Sequence, residues 1–317
     1  MTDAPNRIKV PEERSSGEWR TALALVVMIL GVSVTGPGVL AGVPLMALVL
    51  VLPVLRKGAL LVAAVVAVWV FGLGVTDPLW YFERGWAVLM SGWFVALTTR
   101  WPKAPLTSRS LGAVAGAGAV AAGIFGVSPG MWSAIDWRVR ERLAEGVNTA
   151  LDIFGSLQGG EGLPANLEAS VLRTAEVQAD LFPAFLGLAS MAGLAVAWWL
   201  YRRMAAGEPG ALGRLREFRF NDQLVWLFIG GLLTLLVGLG EGWSRAGSNT
   251  VVFMGGLYAL RGAAVVLFLN GGISLLGAIV LGVGMLFVAP ILLAGALFVG
   301  LSDTWLDVRN RVRTPAS

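Results

Sequence analysis

The chain has 317 residues, of which 56% are hydrophobic and only 14% charged, with a mean hydropathy of +0.74. A soluble domain carries about 25% charged residues, so this composition excludes an ordinary soluble fold and leaves an all-α, polytopic transmembrane helix bundle. There is no cysteine and no histidine, which removes disulfides, thiolate chemistry, the usual proton shuttle and the commonest metal ligand.

Residues 1–20 form a charged tail, too polar and too long before the first apolar run to read as a secretory signal. Residues 21–128 hold apolar runs at roughly 21–35, 38–55, 58–75, 85–99 and 109–128. Each is short for a bilayer that asks for about 20 residues per helix. Gly36-Pro37-Gly38 reads as a tight turn between the first two. Gly112 and Gly116 lie one turn apart in an alanine-rich run, the pattern of a face that packs closely on another helix of the same chain.

Residues 129–180 are the sizeable polar insertion. Ile135, Val139, Leu143, Val147, Leu151 and Phe154 recur every three or four positions, predicting an amphipathic helix. "QGGEGLP" then breaks the pattern, and Asn166 is placed to cap a second helix from Leu167. That helix is expected to run on past Pro183 with a kink. The hairpin reads as a lid or spacer on the outer leaflet.

Residues 181–306 carry runs at 181–201, 223–240, 250–270 and 273–300, the last interrupted by Pro290, so that it is one kinked helix or two short ones. Residues 307–317 form a basic tail. Most Lys and Arg residues fall in the N-terminal tail, at 56–57, 100–109, 202–219 and in the C-terminal tail. Lys and Arg mark the cytoplasmic side. Ten short crossings put all these segments inside and 129–180 outside; nine crossings with an external basic tail is the alternative. The expected location is a bacterial inner membrane. The net charge of +4 follows from these loops, and nucleic acid is not an expected partner. Tryptophans 80, 86, 101, 132, 137, 198, 199, 243 and 305 fall near predicted helix ends, as a headgroup-level belt requires.

Little chemistry is visible. No G-x-x-x-x-G-K-[ST] phosphate loop occurs, no metal-ligand cluster is seen, and the three lysines lie in tails or loops. Neither catalysis, a cofactor nor a metal is expected. One charge stands out: Arg261, within "GGLYALRGAAVVLFLNGG". Counted from Thr250 at about 1.5 Å per residue, it lies near the middle of a core about 30 Å thick. A charge at that depth faces the protein interior or a cavity and needs a carboxylate or carbonyl partner. Asp303 is the first choice, with Glu241 and Glu83 weaker. The cluster serves either packing or anion binding. A basic amphipathic stretch, Arg214, Arg216 and Arg219 with Phe218 and Phe220, suits an anionic leaflet or a cytoplasmic partner.

The segments "LFPAFLGLASMAGLAVAWWLYRRM", "LREFRFNDQLVWLFIGGLL", "GGLYALRGAAVVLFL" and "GLSDTWLDVRNRV" follow in order. Together they resemble the C-terminal half of the YybS-like family of predicted bacterial membrane proteins, a domain of unknown function, over roughly 181–313. That family is similar in architecture to the substrate-capture subunits of energy-coupling-factor vitamin transporters and to the rod-shape protein MreD. The resemblance implies a bilayer-embedded subunit that binds a small molecule and relies on a partner energy module. A scaffold that docks other envelope proteins is the second reading.

Overall fold

The computed structural model describes residues 38–52, 77–157, 165–205, 215–272 and 274–313. The runs at 21–35 and 58–75, and Arg214, lie outside them. The described residues are helical, without strands: α1 (Val39–Val51), α2 (Pro78–Arg100), α3 (Leu106–Val127), α4 (Pro129–Leu157), α5 (Ala165–Asp180), α6 (Phe182–Ala205), α7 (Val225–Val237), α8 (Glu241–Leu269), α9 (Leu275–Leu306) and α10 (Val308–Arg313).

Local chemistry explains the boundaries. Asp77 caps α2 by accepting from the Leu79 amide at 3.0 Å, with Pro78 at the first helical position. Gly238, at φ 64°, ends α7 in the left-handed conformation that glycine adopts without strain. Pro183 does not kink a continuous helix. The chain breaks at Leu181, and Pro183 occupies the first turn of α6, where its missing N–H would have had no partner. The second hairpin helix starts at Ala165, so Asn166 lies within it rather than capping it. The last apolar run, α9, is two helical segments that meet at a kink: Val288 is non-helical at φ -130° and ψ 28°, two residues before Pro290.

Three apolar clusters hold the bundle. In the first, Leu45 and Leu48 of α1 meet Met90 and Phe94 of α2 and Leu194 and Trp198 of α6. Gly193 lets α1 approach: a Cβ there would lie 2.5 Å from the Leu40 carbonyl oxygen. Gly112 and Gly116 receive Leu97 and Trp93 of α2 in the same way, so this small face is used within the chain. Trp86 and Trp198 are buried, and the Trp86 indole donates to Ser190 Oγ at 2.8 Å. These two belong to the core, not to a surface belt. The second cluster joins Phe220, Val225, Met254, Leu257 and Tyr258.

The third cluster ties the polar hairpin down. Ile135 and Val139 of α4 and Ala179 of α5 pack on Leu79 of α2. Arg142 adds ion pairs to Glu83 at 2.9 Å and Asp77 at 3.2 Å. The hairpin's base is therefore built into the bundle. Its far part is open, with Phe154 and Leu157 exposed.

Helices α6 and α8 run in parallel from the hairpin end. The Ala184 amide donates to Asn249 Oδ1 at 2.8 Å, and further along Leu188 fills the space over Gly256. The short α7 runs back against α8, with Gly231 beside Thr250 and Thr234 beside Gly247. It spans 13 residues, about 20 Å, so the irregular segment leading into it reaches well inside the length of α8.

Candidate functional site

The second cluster surrounds Arg261. Its side chain is 0% exposed. It lies eight residues before the end of α8 at Leu269, about 12 Å along the axis, in the half of the helix away from the hairpin. Nε donates to Asp303 Oδ2 at 2.9 Å and Nη2 to the Asp303 carbonyl at 3.2 Å. Nη1 donates to Asp222 Oδ1, and the Phe220 ring lies 5.6 Å from the guanidinium. Asp303 is itself fully buried and shared: Arg309 Nη2 donates to the same Oδ2 at 2.8 Å. Arg309 Nη1 also reaches the Phe218 carbonyl at 2.9 Å. Arg219 pairs with Asp307 at 3.0 Å, and its carbonyl accepts from Thr107 Oγ1.

The irregular segment 215–224 is thus stitched to α3, α8, α9 and α10. Side chains satisfy its backbone: Arg309 Nη1 donates to the Arg216 and Phe218 carbonyls, and Thr107 Oγ1 to that of Arg219. The described part of the stretch is irregular, not one continuous amphipathic helix. Residues Leu215–Glu217 make one 3-10 turn, Phe220 is buried, and Phe218 packs into the cluster. Arg216 and Arg219 remain partly open.

Asp303 is brought to Arg261, and the two weaker choices are not. Glu83 pairs with Arg142 at the hairpin end. Glu241 is the exposed first residue of α8, about 30 Å from Arg261 along the helix axis. Asp222 and Arg309 complete the cluster and escaped the sequence reading. Both sit in segments whose charges look solvated, and only the folded chain shows how deep those segments reach.

A second constellation lies at the hairpin end. A cavity of about 1280 Å³ is lined by Trp132 and Arg140 of α4, Asp180 of α5, and Glu241, Arg245 and Asn249 of α8, with Pro183 of α6, Leu235 of α7 and Ser244 and Ser248 of α8 also in its wall. Arg245 pairs with Asp136 and donates through Nε to the Asp180 carbonyl at 3.3 Å. Arg140 bridges Asp136 and Asp180. Burial raises the Asp136 pKa, but the hydrogen bonds and charges of Arg245 and Arg140 outweigh it and hold the carboxyl below its ordinary value. Asn249 accepts from the Ala184 amide and donates to the Asp180 and Arg245 carbonyls. The signal was present in the sequence. Glu241, Arg245 and Asn249 are spaced four apart, one face of a helix, but their polarity reads as loop before the apolar run. Among the described residues no group of three or more acidic side chains is placed to hold a metal ion.

Four described helices, Leu106–Val127, Phe182–Arg203, Glu241–Leu269 and Leu276–Leu306, are long and apolar enough to cross a membrane. With the buried charge cluster between them, they define a polytopic helical membrane protein. The chain belongs to the DUF2232 family of predicted membrane proteins, whose model matches residues 22–304. No curated protein and no solved structure matches it.

Proposed function

We propose that this protein is the substrate-binding subunit of a membrane transport system, with the hairpin-end cavity as its binding chamber on the outer face of a bacterial inner membrane. The carrying observation is the chamber itself: about 1280 Å³, open on one side and lined by residues of α4, α5, the start of α6, the α7–α8 turn and the first part of α8. Sites for small molecules are mostly apolar hollows with a few placed polar groups, and Arg140, Asp180, Glu241 and Arg245 supply the polar groups here. The chain carries no phosphate-binding loop of its own, so a separate energy module would complete the system.

The test is native mass spectrometry of the detergent-purified protein beside its Gly242→Trp variant. Gly242 lines the chamber, and an added Cβ there meets nothing within 4 Å, so a side chain can be added there without a backbone clash, and a size-exclusion profile reports the variant's folding. Wild type should retain a small molecule that the variant lacks. Stoichiometric envelope proteins in both samples, with no small molecule in either, would favour the scaffold reading.

A further inference from the structure

A smaller cavity lies beside the Arg261 cluster, at the other end of the bundle from the chamber. It encloses about 310 Å³ and is lined by Arg216, Glu217, Arg219, Arg309 and Asn310. Three guanidiniums face one carboxylate, and that carboxylate, on Glu217, is exposed. Arg309 is only 3% exposed, and its Nε is buried with no hydrogen-bond acceptor. A buried donor left without an acceptor is costly. Among the described residues no ion pair involves Arg216, and Arg219 shares only the partly exposed Asp307.

Arg309 Nη1 and Nη2 are engaged by the protein and its Nε is out of a ligand's reach, so Arg309 adds charge, while the partly open Arg216 and Arg219 supply donors for a multivalent acceptor. Carboxylates of the chain occupy the far side of Arg309 through Asp303 Oδ2, so the ligand must come from outside. Arginine forks match phosphate oxygens in pairs, and basic pockets between membrane helices take anionic headgroups. We propose that Arg216, Arg219 and Arg309 form a binding site for a phosphate-bearing group. The chemistry is common to a lipid phosphate headgroup and a soluble phosphate.

Native mass spectrometry of the full chain with phosphatidylglycerol or phosphatidylcholine tests the first source. A thermal shift with inorganic phosphate tests the second. Arg216→Gln and Arg219→Gln each remove a partly open arginine of the rim, and size-exclusion profiles report their folding. The control is Arg311→Gln, an exposed arginine of α10 outside the lining. Each lost charge-assisted contact should lower retention about tenfold. Preferential retention of phosphatidylglycerol, lost in the two rim variants and kept in the control, assigns a lipid headgroup. Stabilisation by phosphate with no lipid preference, lost in the same variants, assigns a soluble phosphate. Neither effect, or equal loss in the control, overturns the site.

Discussion

Gly262 of α8 and Gly300 of α9 meet where the two helices cross. A Cβ on Gly300 would lie 1.9 Å from the Tyr258 carbonyl oxygen, and one on Gly262 would lie 1.8 Å from that of Ala296. The obstructing atoms are backbone, so neither helix can relieve the clash by a rotamer change. Close approach of this kind replaces the hydrophobic drive that helices lack in lipid. It also sets the level at which Asp303, three residues on, meets Arg261.

Gly300→Ala should therefore push the helices apart and loosen the ion pair together with the packing. Overpacking a tight contact costs typically 1–3 kcal/mol, and a backbone clash belongs at the upper end, at about 3 kcal/mol. Gly295→Ala, on the same helix with nothing within 4 Å of its Cβ, should be neutral. Thermal unfolding in detergent would compare the two. An unchanged melting temperature for Gly300→Ala would show that the crossing can open freely.

Removing charges from the cluster should follow the way Asp303 is shared. Asp303→Ala leaves both Arg261 and Arg309 short of a carboxylate in a buried site, and breaking such a pair costs about 3–5 kcal/mol. Arg261→Leu is milder, because Arg309 still holds Asp303 at 2.8 Å and Asp222 is half exposed. Arg261→Gln, which keeps an amide donor, should be milder again, and Arg261→Glu worst of the three. Melting temperatures in this order support a structural pair. An Arg261→Leu protein as stable and active as wild type would deny the cluster any role.

How much of this could be read beforehand depends on where each charge lies. An arginine in an apolar run demands a carboxylate, and Asp303 is legible because it closes the last apolar helix. Asp222 and Arg309 sit in charged segments that look like solvated loops, and nothing in their spacing says that the chain tucks them inward. The start of α8 is hidden for a related reason. Helix α8 begins at Glu241, not at the first apolar residue, because Arg245 and Asn249 satisfy the backbone of α5 and are helical in spite of their polarity. The hairpin was legible as two helices from its period. Its anchoring was not, since Ile135 and Val139 of α4 meet Leu79 of α2, with the whole of α3 between them in sequence.

The base of the hairpin should respond to acid. Asp136 is held below its ordinary pKa of 3.8 by Arg245 and Arg140. A carboxylate depressed in the folded state contributes stability that is present above its unfolded pKa and is lost as the pH falls through the folded value. Protection of the amides of 129–157 and 165–180, taken as exchange relative to the intrinsic rate at each pH, should therefore be full at neutral pH and fall below about pH 4. Asp136→Asn should exchange faster at neutral pH and show a flatter pH response. An identical acid response in the variant would assign the effect to other carboxylates.

The proposed topology has a direct chemical test, because the chain has no cysteine to give background labelling. Lys and Arg concentrate on cytoplasmic loops, and Arg100, Lys103, Arg202, Arg203, Arg216, Arg219, Arg309 and Arg311 fall at the ends of helices α2, α6 and α9 and in the adjoining segments. The structure joins several of these physically, through the Arg309 contacts to the Arg216 and Phe218 carbonyls and the Arg219 pair with Asp307. One side of the membrane must therefore hold the 215–222 segment and α10 together, whatever the number of crossings. The proposed topology puts Ser156, exposed near the end of α4, on the opposite side. In intact cells Ser156→Cys should react with a membrane-impermeant maleimide and Arg311→Cys should not, while both should react after permeabilisation. Labelling of Arg311→Cys in intact cells with Ser156→Cys silent would invert the orientation, and labelling of both would contradict the separation of the hairpin from the arginine cluster.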